Sequence, residues 1–266
     1  ALAKTMAGGE IDVLDAGSYG PVTINKAINI NAGVNGPKTN LAGIRTSTGN
    51  AVLVNAGPFD VVVLRGLTLD GANLSGLNGI RFISGGALHV ERCTINSFGD
   101  KGIDFVPAIG GKLHVKDTIV RNNTGGINGP TMGGGILINS GSGQARASIH
   151  RVRVEGNLYG IRAESGALVT ISNSVAADNL SAGFVADSGS GPRVEMNIDH
   201  GVSANNNFGV MVTGSQAIIR ISKVTITNNQ HDGLLTTSGG TIISFGNNRV
   251  AGNNPDGAPS SNAPQQ

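Results

Sequence analysis

Gly79-Ile80-Arg81-Phe82 belongs to a short motif that repeats along the chain: a glycine, an apolar residue, a variable residue and usually a second apolar residue. The spacings between consecutive copies are 23, 33, 25, 23, 26 and 24 residues, and the long one contains a glycine-rich insertion at residues 125–134. A period of about 24 residues is the length of one coil of a solenoid. The seven copies begin at Gly79, Gly102, Gly135, Gly160, Gly183, Gly209 and Gly233.

Each period carries two further β-like runs. Leu88-His89-Val90-Glu91 has a counterpart in every period, as at residues 113–116 and 148–150, which begin with Leu113 and Ser148. Shorter runs such as the one from Cys93 to Ile95 follow. Apolar and polar residues alternate and β-branched residues are frequent, which favours strands over the helix pairs of other repeat proteins. The sequence predicts three short strands per coil, each paired in parallel with the next coil about 4.8 Å away.

An asparagine follows the third run in six periods. A sharp bend favours Asn because Asn tolerates the left-handed backbone conformation and its side chain can bond to the backbone nearby. We expect these amides to stack as a ladder, and a sugar-binding face of asparagines is the less favoured alternative. The residues are Asn123, Asn157, Asn179, Asn206, Asn229 and Asn254.

The composition limits the class of protein. Gly supplies 42 of 266 residues, yet it shows no strict period of three, and an apolar content of 39% argues against a disordered linker. The net charge is +2 with scattered basic residues, so nucleic acid is not expected as a partner. No apolar stretch is long enough to span a membrane. Cys93 is the single cysteine, which excludes an intrachain disulfide, and we expect it to be buried.

The glycine-apolar starts, the asparagine turns and the coil length resemble the right-handed parallel β-helix of the pectate-lyase-like superfamily. The resemblance covers residues 10–254 and implies an all-β solenoid of about nine or ten coils. Residues 1–9 are similar to the end of the amphipathic helix that caps such solenoids. The tail at residues 255–266 is rich in Pro, Ser, Asn and Gln, and we expect it to be mobile or to fold over the last coil.

The resemblance also implies chemistry on acidic polysaccharides, with carboxylates that hold Ca²⁺ and with Arg or Lys as the base. The motifs of the known enzymes are mostly missing. The carboxylate pair of polygalacturonases has no counterpart, and the epimerase motif Asp-Pro-His-Asp is matched only by His231 and Asp232. The sequence therefore implies no cofactor firmly. Ca²⁺ is the one that the resemblance allows, and no metal site is predicted.

Stacked coils align equivalent residues into columns, which gives a second way to find a site. In the first strand, the residues two and four positions after the glycine should point outward. Glu164 and Asp187 would then be neighbours, close enough to share a cation or to raise one pKa. These columns give a candidate catalytic or binding face, although a surface ladder in which Arg162 neutralises the acids is favoured. The candidates are Arg81, Asp104, Arg162, Glu164 and Asp187.

The same column becomes apolar in the C-terminal half of the chain, at Val185, Met211 and Leu235. An exposed apolar row usually indicates a contact. The tail, a protein partner or a second copy of the chain in a homo-oligomer could cover it.

Three histidines fall in the second strands. His89 and His114 occupy equivalent positions in adjacent coils, and His150 lies one coil further. Two imidazoles roughly 5 Å apart could bind a ligand, relay a proton or hold a metal. A metal is less favoured because zinc needs convergent ligands, whereas stacked side chains run parallel.

Two functions fit these observations. The favoured one is an extracytoplasmic scaffold or binding module for an acidic polysaccharide or a protein partner, located outside the cell, on its surface or in the periplasm. The other is a polysaccharide lyase or uronate epimerase with an atypical site. The absence of Trp weighs against an aromatic platform for sugars, and the insertion at 125–134 could form one wall of a binding face.

Overall fold

The computed structural model describes residues 1–32, 42–125 and 133–264. Over these residues the chain winds into a parallel β-solenoid with almost no helix, in which every coil contributes one strand to each of three sheets. Sheets A, B and C of the described chain contain 11, 10 and 9 strands, and all their pairings are parallel. The predicted β-helix of about nine or ten coils is confirmed, with about nine coils formed.

The strands follow one another in the order A, B, C along the chain. Sheet A contains β1 (Glu10–Val13), β4 (Ile28–Ala32), β7 (Val61–Arg65), β10 (Ala87–Glu91), β13 (Gly111–Lys116), β16 (Ala145–His150), β19 (Ala167–Ser172), β22 (Val194–Asp199), β25 (Ala217–Ser222), β28 (Thr241–Ser244) and β30 (Ser261–Asn262). Sheet B contains β2 (Gly17–Tyr19), β5 (Ala42–Arg45), β8 (Thr68–Asp70), β11 (Thr94–Asn96), β14 (Ile119–Arg121), β17 (Arg153–Glu155), β20 (Val175–Ala177), β23 (Val202–Ala204), β26 (Thr225–Thr227) and β29 (Arg249–Ala251). Sheet C contains β3 (Val22–Ile24), β6 (Val52–Asn55), β9 (Ile80–Ser84), β12 (Lys101–Phe105), β15 (Gly134–Ile138), β18 (Ile161–Glu164), β21 (Ala182–Asp187), β24 (Phe208–Thr213) and β27 (Leu234–Thr237).

The core runs along the solenoid axis and is filled by the inward half of each strand. Leu88 and Val90 of β10 are fully buried, whereas His89 between them faces outward and is partly exposed. Phe82 and Phe105 stack inside the solenoid with ring centroids 4.6 Å apart. Cys93 is buried as predicted, and burial raises the pKa of its thiol to about 12. Its thiol is therefore protonated at neutral pH and is a poor nucleophile.

The asparagine ladder forms at the corner between sheets B and C. The side-chain amides donate to the amide oxygens of the next coil over distances of 2.7–3.2 Å. The same oxygens accept backbone N–H groups, so the ladder satisfies buried donors of the corner. Its members are Asn123, Asn157, Asn179, Asn206, Asn229 and Asn253.

Two predictions about this corner are wrong. The left-handed backbone conformation belongs to the residue before each ladder asparagine, as at Asn205 with φ 58° and Gly252 with φ 80°. The last ladder position is consequently Asn253, which follows Gly252 directly, and not Asn254. At each corner, one residue therefore takes the left-handed conformation that turns the chain, and the next residue forms the hydrogen bonds of the ladder.

The N-terminal helix is the main correction to the predicted fold. Only one 3₁₀ turn is formed, η1 (Leu2–Lys4), and Thr5 is already extended. No side chain caps this turn, and so short a segment cannot offset the cost of helix nucleation. Residues 1–9 therefore do not form a capping helix.

The tail, described as far as Pro264, packs along the last coil. Gly233 and Leu234 donate backbone hydrogen bonds to the carbonyl groups of Pro255 and Asp256, and β30 pairs with β28. The carboxylate of Asp256 accepts two hydrogen bonds from Asn253 at 2.8 Å and ends the ladder. The tail therefore covers the C-terminal edges of sheets A and C.

Candidate functional site

The register of sheet C aligns the predicted columns. Asp104 pairs with Arg81 on one side and with Leu137 on the other, and Glu164 pairs with Asp187. The carboxylate of Asp104 lies 3.1 Å from a guanidinium nitrogen of Arg81 and is almost fully buried. Burial raises its pKa, while the charges of Lys101 and Arg81 act in the opposite direction.

Arg162 forms a second, separate cluster on this face. Its Nε lies 2.6 Å from Oε1 of Glu164, and its Nη2 donates to Oδ2 of Asp187 at 3.0 Å. The guanidinium also covers the ring of Tyr159, with its carbon 4.9 Å from the ring centroid. Arg162 thus pairs with both acids, as in the interpretation of these residues as a surface ladder.

The five candidate residues do not converge on one point. Leu137 stands between Asp104 and Arg162 in the column, which places the two clusters two coils apart, about 10 Å. A small cavity of about 270 Å³ is lined by Lys101, Tyr159, Arg162 and Glu164. Lys101 and Tyr159 were not among the predicted residues. Because Arg162 is already neutralised there, the cavity does not concentrate positive charge.

The described residues do not fit a Ca²⁺ ion on this face. Glu164 and Asp187 already hold a guanidinium, which a cation would have to displace. Nowhere in the described ranges do three or more His, Cys, Asp or Glu side chains group as metal ligands. We therefore derive no chemistry through Ca²⁺.

The predicted apolar row is not a continuous exposed surface. Val185 is fully buried, whereas Met211 and Leu235 are half-buried. Its register partners are Arg162 and Met211, which both have longer side chains. Contact with a partner or a second copy through Met211 and Leu235 stays a prediction. Residues 126–132 of the insertion lie outside the described residues.

A group of cations that form no ion pair with the described residues lies instead on the outer face of sheet A. Lys112 of β13 and Arg146 of β16 are direct register partners, so their backbones are about 4.8 Å apart. Both side chains are exposed, and within the described part of the chain neither forms an ion pair. Like charges directly opposite each other destabilise a sheet. Lys116, on the same face of β13, also lacks an ion pair among these residues. We call Lys112, Lys116 and Arg146 the basic cluster.

Two imidazoles adjoin the basic cluster. His89 and His114 are register partners, and their rings stack with centroids 4.5 Å apart and an angle of 18° between the planes. Burial lowers both pKa values, and the neighbouring charge lowers each further, that of His114 acting on His89 and that of Lys112 acting on His114. Both imidazoles are therefore neutral at pH 7 and available as proton acceptors.

His150 is not part of this pair. It pairs in register with Lys116, and its Nδ1 lies 2.8 Å from the hydroxyl of Ser172. The counterpart of His114 in that coil is Ser148. The predicted equivalence of His89 and His114 is confirmed, and His150 lies one coil further, in the column of Glu91 and Lys116.

Three neighbouring depressions that share lining residues follow this face, and we call them together the groove. Lys112 and Arg146 line both a depression of about 590 Å³ at the corner with sheet C and one of about 520 Å³ over the middle of sheet A. Thr170 and Asn197 line both the middle depression and a third of about 820 Å³ that reaches the tail. In the C-terminal half, Glu195 lies between Arg193 and Arg220, at 2.7 and 2.6 Å, so both of these cations have a carboxylate partner. Lys112 and Arg146 line the groove without an ion pair among the described residues, and Lys223 does so at the end near the tail.

Sequence reasoning selected His89 and His114 but missed Lys112 and Arg146. The predicted second runs began at Leu113 and Ser148, whereas the strands begin at Gly111 and Ala145. The missed signal was two cations at equivalent positions in consecutive coils with no acid between them. A ladder of ion pairs would have alternated the sign of charge.

Comparisons with known proteins agree with this architecture. Residues 134–263 match a family model described as a right handed beta helix region. A solved structure of alginate lyase from Paenibacillus sp. str. FPU-7 superimposes with a TM-score of 0.62 at 15% identity, covering 98% of this chain and 93% of that one. No curated protein matches the sequence significantly. Among the described residues, no helix has the length and apolar character to cross a membrane.

Proposed function

We propose that this protein binds an acidic polysaccharide along the groove of sheet A. The carrying observation is that Lys112 and Arg146 oppose each other in register without an ion pair among the described residues. A sheet gains nothing from this arrangement unless an anion bridges the two side chains. Two cations spaced one coil apart can contact carboxylates of a polymer that lies across the coils.

The groove suits an extended chain better than a small ligand. Its three depressions share lining residues, so that they follow the sheet over several coils. The exposed hydroxyl groups of Ser148 and Thr170 and the partly exposed amide of Asn197 continue the surface beyond the cations and offer hydrogen bonds to sugar hydroxyls. Because acidic polysaccharides are polymers of cell surfaces and matrices, we also propose an extracytoplasmic location.

Binding can be tested with polymers that differ in charge. Polygalacturonate and alginate should bind, whereas a neutral dextran of similar length should not, and affinity should fall as salt screens the exposed cations. The double variant Lys112→Ala/Arg146→Ala should lose binding. Arg249→Ala removes an exposed cation of sheet B and serves as the control. Equal binding of the neutral polymer, or unchanged affinity in the double variant, would refute the proposal.

The neutral imidazole of His114 favours a second candidate function, which is cleavage of the same polymer by β-elimination. His114 and Lys112 project from the same face of β13, about 7 Å apart along the strand. With a uronate carboxylate on the cations, His114 would take the C5 proton, and the C5–H electron pair would form the C4–C5 double bond. The C4–O bond would break, and the leaving oxygen would take a proton from water. The fold likeness to an alginate lyase is compatible with this chemistry.

Cleavage and binding can be separated experimentally. A lyase would generate the ultraviolet absorbance of an unsaturated uronate, and His114→Gln should abolish that signal while it preserves binding. Binding without any product from a panel of uronates would leave the protein a binding module.

A further inference from the structure

The corner between sheets C and A contains a notch that is one coil wide. β6 and β7 are joined by five residues, 56–60, and β12 and β13 by another five, 106–110. The coil between them turns with only Gly85 and Gly86. The two longer loops are separated by two coil spacings, about 10 Å, above a floor that carries no side chain.

The walls of the notch are apolar and exposed. Phe59 on one loop is 92% exposed and Ile109 on the other is 71% exposed, and both line the corner depression of about 590 Å³. Phe82, Phe98, Phe105 and Phe184, by contrast, are fully buried. Hydrophobic side chains left in water at a concave site indicate a ligand contact.

The loop that carries Phe59 is held in place. The carboxylate of Asp60 accepts the backbone N–H of Gly57 at 2.8 Å, and the carbonyl of Asp60 accepts that of Gly86 at 2.8 Å. A Cβ at Gly86 would lie 3.0 Å from the backbone carbon of Phe59, so glycine permits this close approach. The loop that carries Phe59 is therefore fixed by hydrogen bonds and by close packing on Gly86.

The notch offers little to a hydroxyl-rich ligand. Among the described residues that line the depression, only Ser84 carries a hydroxyl group. Its Oγ already lies within hydrogen-bond distance of two acceptors, Oδ1 of Asn55 at 2.9 Å and the carbonyl oxygen of Ala56 at 2.7 Å. The other polar side chains that line the depression are those of Lys112, Gln144 and Arg146, whereas Phe59 and Ile109 themselves offer a sugar hydroxyl no hydrogen bond. A small apolar group needs no such bond.

We propose that the notch receives an O-acyl substituent, such as an acetyl group, of an acidic polysaccharide whose carboxylates lie on Lys112 and Arg146. The inference rests on the proposed function, and it narrows the ligand to an acylated uronan. The main support for the inference is that the apolar notch and the two cations belong to one depression, because Lys112 and Arg146 line it together with Phe59 and Ile109. Charge complementarity to the two cations favours this occupant over an apolar protein segment.

The test compares one uronan before and after mild alkaline deacetylation, with the affinity of the full chain for both forms measured by calorimetry. Burial of one acetyl methyl should strengthen binding about fourfold. Phe59→Ala and Ile109→Ala should each remove most of this preference. Leu180→Ala, which truncates an exposed apolar side chain outside the notch, should keep the preference.

Each other outcome overturns the inference in a recognisable way. Equal affinity of the wild type for both forms would refute the acyl notch and leave the proposed function standing. No binding of either form would refute both. A wild-type dimer that Phe59→Ala converts to a monomer, seen by light scattering, would show that a second copy occupies the notch.

Discussion

The imidazole rings of His89 and His114 stack at 4.5 Å on the outer face of sheet A, next to Lys112. Both rings are partly buried, and a proton on His89 would face the second imidazole while a proton on His114 would face Lys112. Burial and these neighbouring charges lower the pKa of both histidines. The pair therefore links the stability of the solenoid to pH as well as supplying a proton acceptor to the groove.

We predict that the protein loses stability as the pH falls below about 6.5. The unfolded chain binds a proton with the ordinary histidine pKa of 6.5, and the folded chain binds it less readily. The stabilising effect of the neutral pair is thus present above pH 6.5 and is lost as the pH falls through the lowered folded values. Thermal unfolding between pH 5 and pH 8 measures this slope.

His114→Phe should flatten that slope because it keeps a stacked ring and removes a titrating group. His231→Phe alters a stacked imidazole elsewhere, 5.3 Å from the ring of Phe208, and is the matched control. A wild-type slope unchanged in His114→Phe would contradict the assignment.

Lys112→Gln should make the protein slightly more stable and a weaker polyuronate binder. Removal of one of two opposed cations should stabilise folding by about 0.3 kcal/mol at low ionic strength. Affinity for polygalacturonate should fall about fivefold, since one of the two charge contacts is lost. Chemical denaturation and calorimetry provide the two numbers.

High salt should erase the stability gain of Lys112→Gln, because the repulsion between exposed cations is screened. Arg249→Gln should produce neither effect. A loss of stability in Lys112→Gln would show that Lys112 has a structural role and is not held for a ligand.

The repeat made the coil, the three sheets and several register pairs predictable. Once the glycines are aligned, Glu164 falls opposite Asp187 and His89 opposite His114, because parallel strands in stacked coils keep one register. Val185 could not be placed correctly in this way. Its direction follows from alternation, but its burial depends on the lengths of the side chains beside it.

The ends and corners were less predictable than the strands. Asn is common both at left-handed turn positions and in the ladder. The sequence therefore did not show that Asn205 takes the left-handed conformation and that Asn206 forms the ladder hydrogen bonds. Lys112 and Arg146 lay just outside the predicted runs. The notch beneath Phe59 arises because the loops of neighbouring coils differ in length. An alignment of the repeats identifies what the coils share and does not reveal this difference.

Ionisation of the Asp104 carboxyl should lower the stability of the protein as the pH rises from acid toward neutral. Burial raises the folded pKa of this carboxyl above its ordinary value of 3.8, despite Lys101 and Arg81 nearby and with Asp100 and Glu164 adding repulsion. Its stabilising protonated form is present below pH 3.8 and is lost as the pH rises through the raised value. Asp104→Asn should therefore gain on the wild type between pH 3 and pH 7 in urea unfolding.

Arg81→Gln should widen this pH dependence, since it removes a cation that favours the charged carboxyl. Parallel stability curves for the wild type and Asp104→Asn would mean that the carboxyl titrates alike in the folded and unfolded chains.

Asn206→Ala should destabilise the solenoid by about 3 kcal/mol, more than a typical surface substitution. The side chain of Asn206 is fully buried, and its oxygen accepts both the backbone N–H and the amide of Asn179, at 3.0 and 2.9 Å. Truncation to Ala leaves that buried backbone donor without an acceptor and breaks the ladder in its middle. Asn55→Ala removes an exposed amide that accepts one bond from Ser84, and it should cost less than 1 kcal/mol.

Because each coil packs on its neighbours, hydrogen exchange in Asn206→Ala should rise first in the coils beside residue 206. Uniform loss of protection along the whole chain would show instead that the solenoid unfolds as one cooperative unit.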